Sequence, residues 1–200
     1  AAALYEVYLS KFDKEERAYE VSFNLGEIDF FRLGRNLEAA TRYLAAAKAI
    51  PTKQASPELR AMRHDALYNA LVALAREMDA RREAKQEATV GAVADKYVEA
   101  LDLYAQFYPN DPQLPAMFYR QGRYYFDIGS YDSAVKIWGT LLEKFPSSEY
   151  SRDAGDSILE SFSRAKNYEN IETWARRLKA LPSFAAAKQQ ERLDSLIVQA

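Results

Sequence analysis

Phe118-Tyr119-Arg120-Gln121-Gly122-Arg123-Tyr124-Tyr125-Phe126-Asp127-Ile128-Gly129-Ser130-Tyr131-Asp132-Ser133-Ala134-Val135-Lys136-Ile137-Trp138, followed by Leu141 and Pro146, is the stretch whose spacing decides the fold. Phe118, Gln121, Gly122 and Tyr125 recur at the three- and four-residue steps of a helix, and Gly129-Ser130-Tyr131 interrupts them. Ala134, Trp138 and Leu141 then form the stripe of a second helix. Two antiparallel helices with a short turn follow from this pattern. Gly122 and Ala134 are small enough to let the pair approach, while Phe118, Tyr125, Tyr131 and Trp138 fill the space around them.

Outward from this hairpin, prolines mark a period. Pro109, Pro146 and Pro182 are 37 and 36 residues apart, and each ends a helix-like run. A repeat in the thirties is the mark of stacked helical hairpins. Upstream, Phe23, Phe30, Gly34, Ala39, Tyr43, Ala46 and Pro51 reproduce the spacing, with the first-helix glycine displaced by one, to Gly26. Downstream, Leu159, Tyr168, Trp174 and Pro182 do so with a one-residue slip. The interval from Pro51 to Pro109 is longer, and its excess falls in Arg76–Asp95. That segment reads as a degenerate repeat with lengthened helices and a longer internal loop near Thr89-Val90-Gly91.

The expected helices are 1–11, 15–33, 36–49, 57–83, 93–107, 113–128, 131–144, 148–165, 168–180 and 183–198, with no strand. They group as a half repeat over 1–12, repeats over 15–51, 57–109, 113–146 and 148–182, and a capping helix over 183–200. The whole chain, 1–200, is one all-α domain on this reading.

Composition agrees with a folded helical protein. The 200 residues are 48% apolar and 13% aromatic, with only 7 Gly and 7 Pro, which excludes disordered and collagen-like classes. A net charge of −2 argues against a dedicated nucleic-acid binder. With no cysteine, there is no thiol nucleophile, thiolate metal site or disulfide. No run approaches the roughly 20 apolar residues of a membrane span. The opening Ala1-Ala2-Ala3-Leu4-Tyr5-Glu6 reads as the start of a processed or excised piece, which leaves room for a removed signal or lipid anchor.

Residues suited to catalysis are sparse. The single histidine, His64, lies in the charged helical segment Arg60-Ala61-Met62-Arg63-His64-Asp65 and reads as a surface or partly packed residue. The glycines are too widely spaced for a phosphate loop or dinucleotide fingerprint. The carboxylate pairs Glu15-Glu16, Asp127 with Asp132, and Asp153 with Asp156 read as solvated helix faces or helix-start charges. The mixed-sign run Arg76–Lys85 reads as a solvated helix with internal ion pairs. No catalytic residue, cofactor or metal ligand is assigned.

The 113–146 hairpin resembles a tetratricopeptide repeat (TPR). Phe118, Gly122, Tyr125, Ala134, Trp138 and Pro146 match its pattern, and Gln121 stands where Leu is usual. The long period, with Phe107-Tyr108-Pro109-Asn110-Asp111 and Lys144-Phe145-Pro146-Ser147-Ser148-Glu149-Tyr150, is similar to repeats of bacterial envelope proteins of the CpoB and BamD type. The resemblance implies a right-handed α-solenoid acting as a non-catalytic scaffold. It also implies a periplasmic location, with or without an outer-membrane tether; a cytoplasmic location stays open.

Stacked repeats present their first helices as a concave surface that binds partners. Removing core positions leaves Asn24, Ile28, Phe31 and Arg32, then Tyr68, Asn69, Val72 and Arg76, then Tyr119, Arg120, Arg123, Phe126 and Asp127. Aromatics, amides and arginines together suit a peptide or protein segment. The expected partner is therefore a protein, an envelope protein if the resemblance holds, and the expected state in isolation is an elongated monomer. Two other readings remain: a regulatory repeat domain cut from a larger enzyme, and a cytosolic adaptor.

Overall fold

The computed structural model describes residues 2–13, 15, 17–53 and 55–199, without the side chains of residues 87 and 88. Among them the chain is all-α, with ten α-helices and no strand. These are α1 (Ala2–Phe12), α2 (Ala18–Ile28), α3 (Asn36–Ala49), α4 (Pro57–Glu83), α5 (Glu87–Phe107), α6 (Leu114–Asp127), α7 (Tyr131–Lys144), α8 (Ser151–Arg164), α9 (Tyr168–Lys179) and α10 (Ala187–Gln199). A π-helical turn, Asp29–Leu33, prolongs α2, and a 3-10 turn, Pro182–Phe184, precedes α10. Side-chain caps set two of the starts. Ser56 accepts from the Leu59 amide at 3.3 Å with Pro57 at the first position of α4, and Asn167 accepts from Asn170 at 3.4 Å.

Four turns share a left-handed residue. Gly34, Lys85, Gly129 and Lys166 all take a left-handed backbone, with φ of 65°, 56°, 76° and 55°. After each of the last three, the next amide donates to the carbonyl five residues back: Gln86 to Arg81, Ser130 to Tyr125, and Asn167 to Phe162, all at 2.8 Å. This bond satisfies a carbonyl that the helix end would otherwise orphan, and the next helix starts immediately. After Gly34, the Arg35 amide reaches six residues back, to Asp29, also at 2.8 Å. The π turn is wider by one residue.

The expected loop near Thr89-Val90-Gly91 is not there, because those residues lie inside α5. The break falls instead at Ala84-Lys85-Gln86, where a lysine takes the seat usually given to glycine. The last helix starts at Ala187 rather than 183, because Pro182 opens a 3-10 turn that buries Phe184 completely.

The residues group into two compact units, Ala1–Asn110 and Asp111–Ala200. Within the second, α6 and α7 are antiparallel. Phe118 meets Phe145 (ring centroids 6.1 Å apart) at one end, and Phe126 meets Tyr131 (5.4 Å) at the other. Helix α8 runs beside α6 in the same direction, as Tyr119 meets Tyr150 at 5.6 Å and Phe126 meets Arg164. Helix α10 is tied to α9 by Lys179 with Asp194 and to α8 by Arg192 with Asp156. In the first unit α3 packs on both α2 and α4 through buried Ala39, Ala40, Ala46 and Ala47. Helix α4 runs beside α2 in the same direction: Asn69 bonds Glu27 and Arg76 covers Phe30.

The α6–α7 contact is as close as its small residues require. A Cβ on Gly122 would lie 2.2 Å from Nε1 of the fully buried Trp138, whose indole donates to the Tyr119 carbonyl at 3.1 Å. Around α8 and α9 the pairing differs from the sequence reading. Trp174 packs against Gly139 of the preceding hairpin, and the ring opposite Gly155 is Phe184.

Candidate functional site

In each unit two helices lying side by side carry the residues singled out for binding. On the α6–α8 face, Tyr119 is half-buried between Trp138 (6.1 Å) and Tyr150 (5.6 Å). One turn along, Arg123 pairs with Asp127 at 3.1 Å and lays its guanidinium over the Phe126 ring at 5.1 Å. Arg164 covers the same ring at 4.8 Å and is held by a forked pair of bonds to Glu160, at 3.0 and 2.7 Å. Arg120 is exposed beside them. The residues at i, i+4 and i+8 thus lie on one strip, as helix periodicity requires.

Phe126 is the correction here. The sequence places it among the exposed residues, but it is only 6% accessible, seated against Trp138 and Tyr131 under two guanidinium groups. Such cation–ring contacts are each worth about 0.5–1 kcal/mol at partly exposed sites. The two arginines are consequently oriented by the ring.

On the α2–α4 face, Asn69 donates to Glu27 at 3.2 Å, and Glu27 accepts from the Tyr43 hydroxyl at 2.5 Å. Burial, and then the bond to Glu27, push the Tyr43 hydroxyl above its ordinary pKa. Arg76 lies 4.5 Å over Phe30, and Asn24 is exposed. Phe31 and Arg32 are exposed on the π turn. Ile28 and Val72 are half-buried.

Tyr68, although next to Asn69 in sequence, belongs elsewhere, since neighbours on a helix point about 100° apart. Its ring lies parallel to His64 at 6.4 Å. His64 is half-buried, with Nε2 2.9 Å from the Tyr104 hydroxyl, Nδ1 3.2 Å from Asp65, and the Tyr108 ring edge-on at 4.9 Å. The Tyr108 hydroxyl donates to the Arg60 carbonyl, and burial raises its pKa. The α4–α5 seam is a packed aromatic cluster joined by hydrogen bonds.

Of the carboxylate pairs, Glu15-Glu16 cannot be placed as a pair, because Glu16 falls outside the described residues while Glu15 is exposed. Asp127 holds Arg123, and Asp156 holds Arg192. The charged run of α4 contains the expected internal pair, Arg81 with Glu77 at 2.8 Å. Among the described residues no three acidic or histidine side chains converge as a metal site.

Among the described residues, each unit has a concavity lined within it. One of about 320 Å³ lies between α1, α2 and α3, with Glu6, Asp13, Tyr19 and Arg42 at its wall. The other, about 240 Å³, lies between α7 and α9 under Trp174, Leu142 and Pro146. Arg177 lies 4.3 Å over that tryptophan and 3.3 Å from Glu143.

Sequence reasoning missed Tyr150, Glu160 and Arg164, which complete the α6–α8 face. Their signal was the period itself, because residues about one repeat beyond Tyr119 and Phe126 must lie beside them if first helices adjoin. Among the described residues no helix is long and apolar enough to cross a membrane. Compared with known proteins, the chain matches no family model and no curated protein.

Proposed function

We propose that the chain is a TPR-like right-handed α-solenoid scaffold without chemistry of its own. It binds a segment of another protein along the first helices of its repeats, as part of a bacterial cell-envelope complex on the periplasmic side. The observation that carries this reading is the α6–α8 face. Tyr119 and Tyr150 supply rigid, half-buried rings, while Arg123 and Arg164 are held in place by the buried Phe126 ring and by carboxylate contacts. Tyrosine and arginine presented in fixed orientations are the residue types on which protein interfaces concentrate their energy. The three turns of matching closure, the left-handed residue common to all four, and the TPR-like spacing of residues 113–146 support the repeat reading.

The test places a photo-crosslinking amino acid at Arg120, beside the face, or at Lys136, exposed on α7, in cells of the source organism. Capture of one defined envelope protein from position 120 and not from 136 is expected, with at least a tenfold loss of affinity on Arg123→Glu. Capture from 136 alone moves the binding site to the second helices. Capture of cytosolic proteins alone removes the envelope assignment.

A further inference from the structure

We propose that the wide turn between α2 and α3 is a second docking point, an apolar knob ringed by guanidinium groups. It receives an acidic segment of a partner protein through an aromatic or branched apolar side chain. The proposal rests on the reading above, that the chain holds a partner segment, and adds a place and a chemistry to it.

The knob exists because of one extra residue. Measured from their glycines, Phe30 follows Gly26 as Phe126 follows Gly122, four residues on, and an arginine of the neighbouring helix covers each ring: Arg76 at 4.5 Å and Arg164 at 4.8 Å. The left-handed glycine then comes seven residues after Gly122 but eight after Gly26. The π turn takes up the difference, and such turns gather at functional positions. Its result is to bring Phe31 and Leu33 to the surface, 64% and 45% exposed, where α6 ends in Asp127 and the half-buried Ile128. Single exposed apolar residues are ordinary, but two on one widened turn against a common ring stack are a patch. Phe31 stands edge-on to Phe30 at 4.8 Å, so the stack Arg76, Phe30, Phe31 is continuous.

Charge selects the partner. Arg32, Arg35 and Arg76 are all exposed around the turn. Of the nearby carboxylates, Asp29 is 2% exposed beneath the turn, with Arg35 Nη1 3.8 Å away, and Glu27 is engaged by Tyr43 and Asn69. Glu38 in the first turn of α3, Glu6 of α1, which also acts on Asp29, and Asp79, one turn beyond Arg76, are exposed carboxylates. The exposed guanidinium groups of Arg32 and Arg35, on the turn beside Phe31 and Leu33, favour aspartate and glutamate, which arginine grips with paired hydrogen bonds.

A phage-displayed random dodecapeptide library panned on the full chain tests this. Recovered peptides are then titrated as fluorescein conjugates by anisotropy. Recovered sequences should cluster Asp and Glu around Phe, Trp or Leu. Phe31→Ser and Arg32→Glu should each weaken them tenfold or more, with unchanged circular dichroism because both side chains are exposed. Raising the salt to about 0.5 M should weaken them likewise. Recovered peptides with no acidic bias, or unaffected by both variants, overturn the docking point. Peptides that lose affinity only on Arg123→Glu overturn it while leaving the α6–α8 reading intact. Recovery of no saturable binder removes both.

Discussion

Hairpins α2–α3 and α6–α7 seat a large ring of the second helix against a glycine of the first, and they do so with different tolerance. Tyr43 faces Gly26 across 17 residues of chain, and Trp138 faces Gly122 across 16. Phe23 packs on Tyr43 at 5.5 Å as Tyr119 packs on Trp138 at 6.1 Å, so the two seats correspond despite the extra residue. The larger indole leaves less room. A Cβ on Gly122 would be 2.2 Å from Trp138, against 3.0 Å between a Cβ on Gly26 and Tyr43. The contact geometry is therefore held constant while chain length between the contacts is allowed to vary in the turn.

The largest expected effect separates the two seats. Gly122→Ala should lose about 3 kcal/mol, because the fully buried Trp138 is anchored to the Tyr119 carbonyl and cannot retreat. Gly26→Ala should lose about 1 kcal/mol or less, since a shift of tenths of an ångström suffices and alanine regains about 1 kcal/mol of helix propensity in both. Urea midpoints measure the difference. Equal midpoints would show that the indole seat is no tighter than the phenol seat.

The next effect concerns the turn. Deleting Phe31 should convert the π turn into the five-residue closure seen at Gly129, leaving α2 and α3 docked as before, with stability changed by no more than about 1 kcal/mol. Deleting Ile128 should cost about 3 kcal/mol or more. That turn holds no spare residue, so Trp138 would swing off Gly122. Thermal melts of the two deletions decide it, and a chain unfolded by the loss of Phe31 would make the wide turn a structural requirement of the hairpin.

Helix identity and most boundaries were legible because glycine, proline and ring spacing report them directly. The α3, α4 and α7 ranges match the periodicity residue for residue. The turn at Lys85 was not, because left-handed lysine looks like any solvated residue of the run Arg76–Lys85. The π turn left one trace, the apparent displacement of Gly26. Counting back from the turn makes Phe30 the counterpart of Tyr125, and only the contacts show it in the seat of Phe126. Nothing in Asp29-Phe30-Phe31-Arg32-Leu33 distinguishes an i to i+5 closure from an ordinary one. The α6–α8 face was half legible. Residues on one helix follow from periodicity, whereas the burial of Phe126 depends on Arg164 and Tyr131 arriving from other helices.

The smallest expected effect tests what occupies the position three residues beyond each glycine. Helix α6 places a buried tyrosine there, Tyr125, and the first hairpin places Asp29. Loss of solvent raises the Asp29 carboxyl above its usual pKa, and the nearby Arg35 and Arg42 only partly oppose it. A carboxyl raised in the folded state binds its proton more tightly there than in the unfolded chain, whose value is about 3.9. Stability from this group is therefore fully present below about pH 3.9 and is lost as pH rises through the higher folded value. Asp29→Asn removes the ionisation and should stabilise the protein at pH 7 by about 1 kcal/mol or less. The gain should shrink as the pH is lowered toward 4. Tyr125→Phe, the counterpart in α6, should show a difference that does not vary between pH 4 and 7. Urea midpoints in half-unit steps of pH would show the two slopes. An Asp29→Asn protein no more stable than the parent at neutral pH would mean that Arg35 and Arg42 outweigh burial, making this carboxylate a supporting ion of the turn.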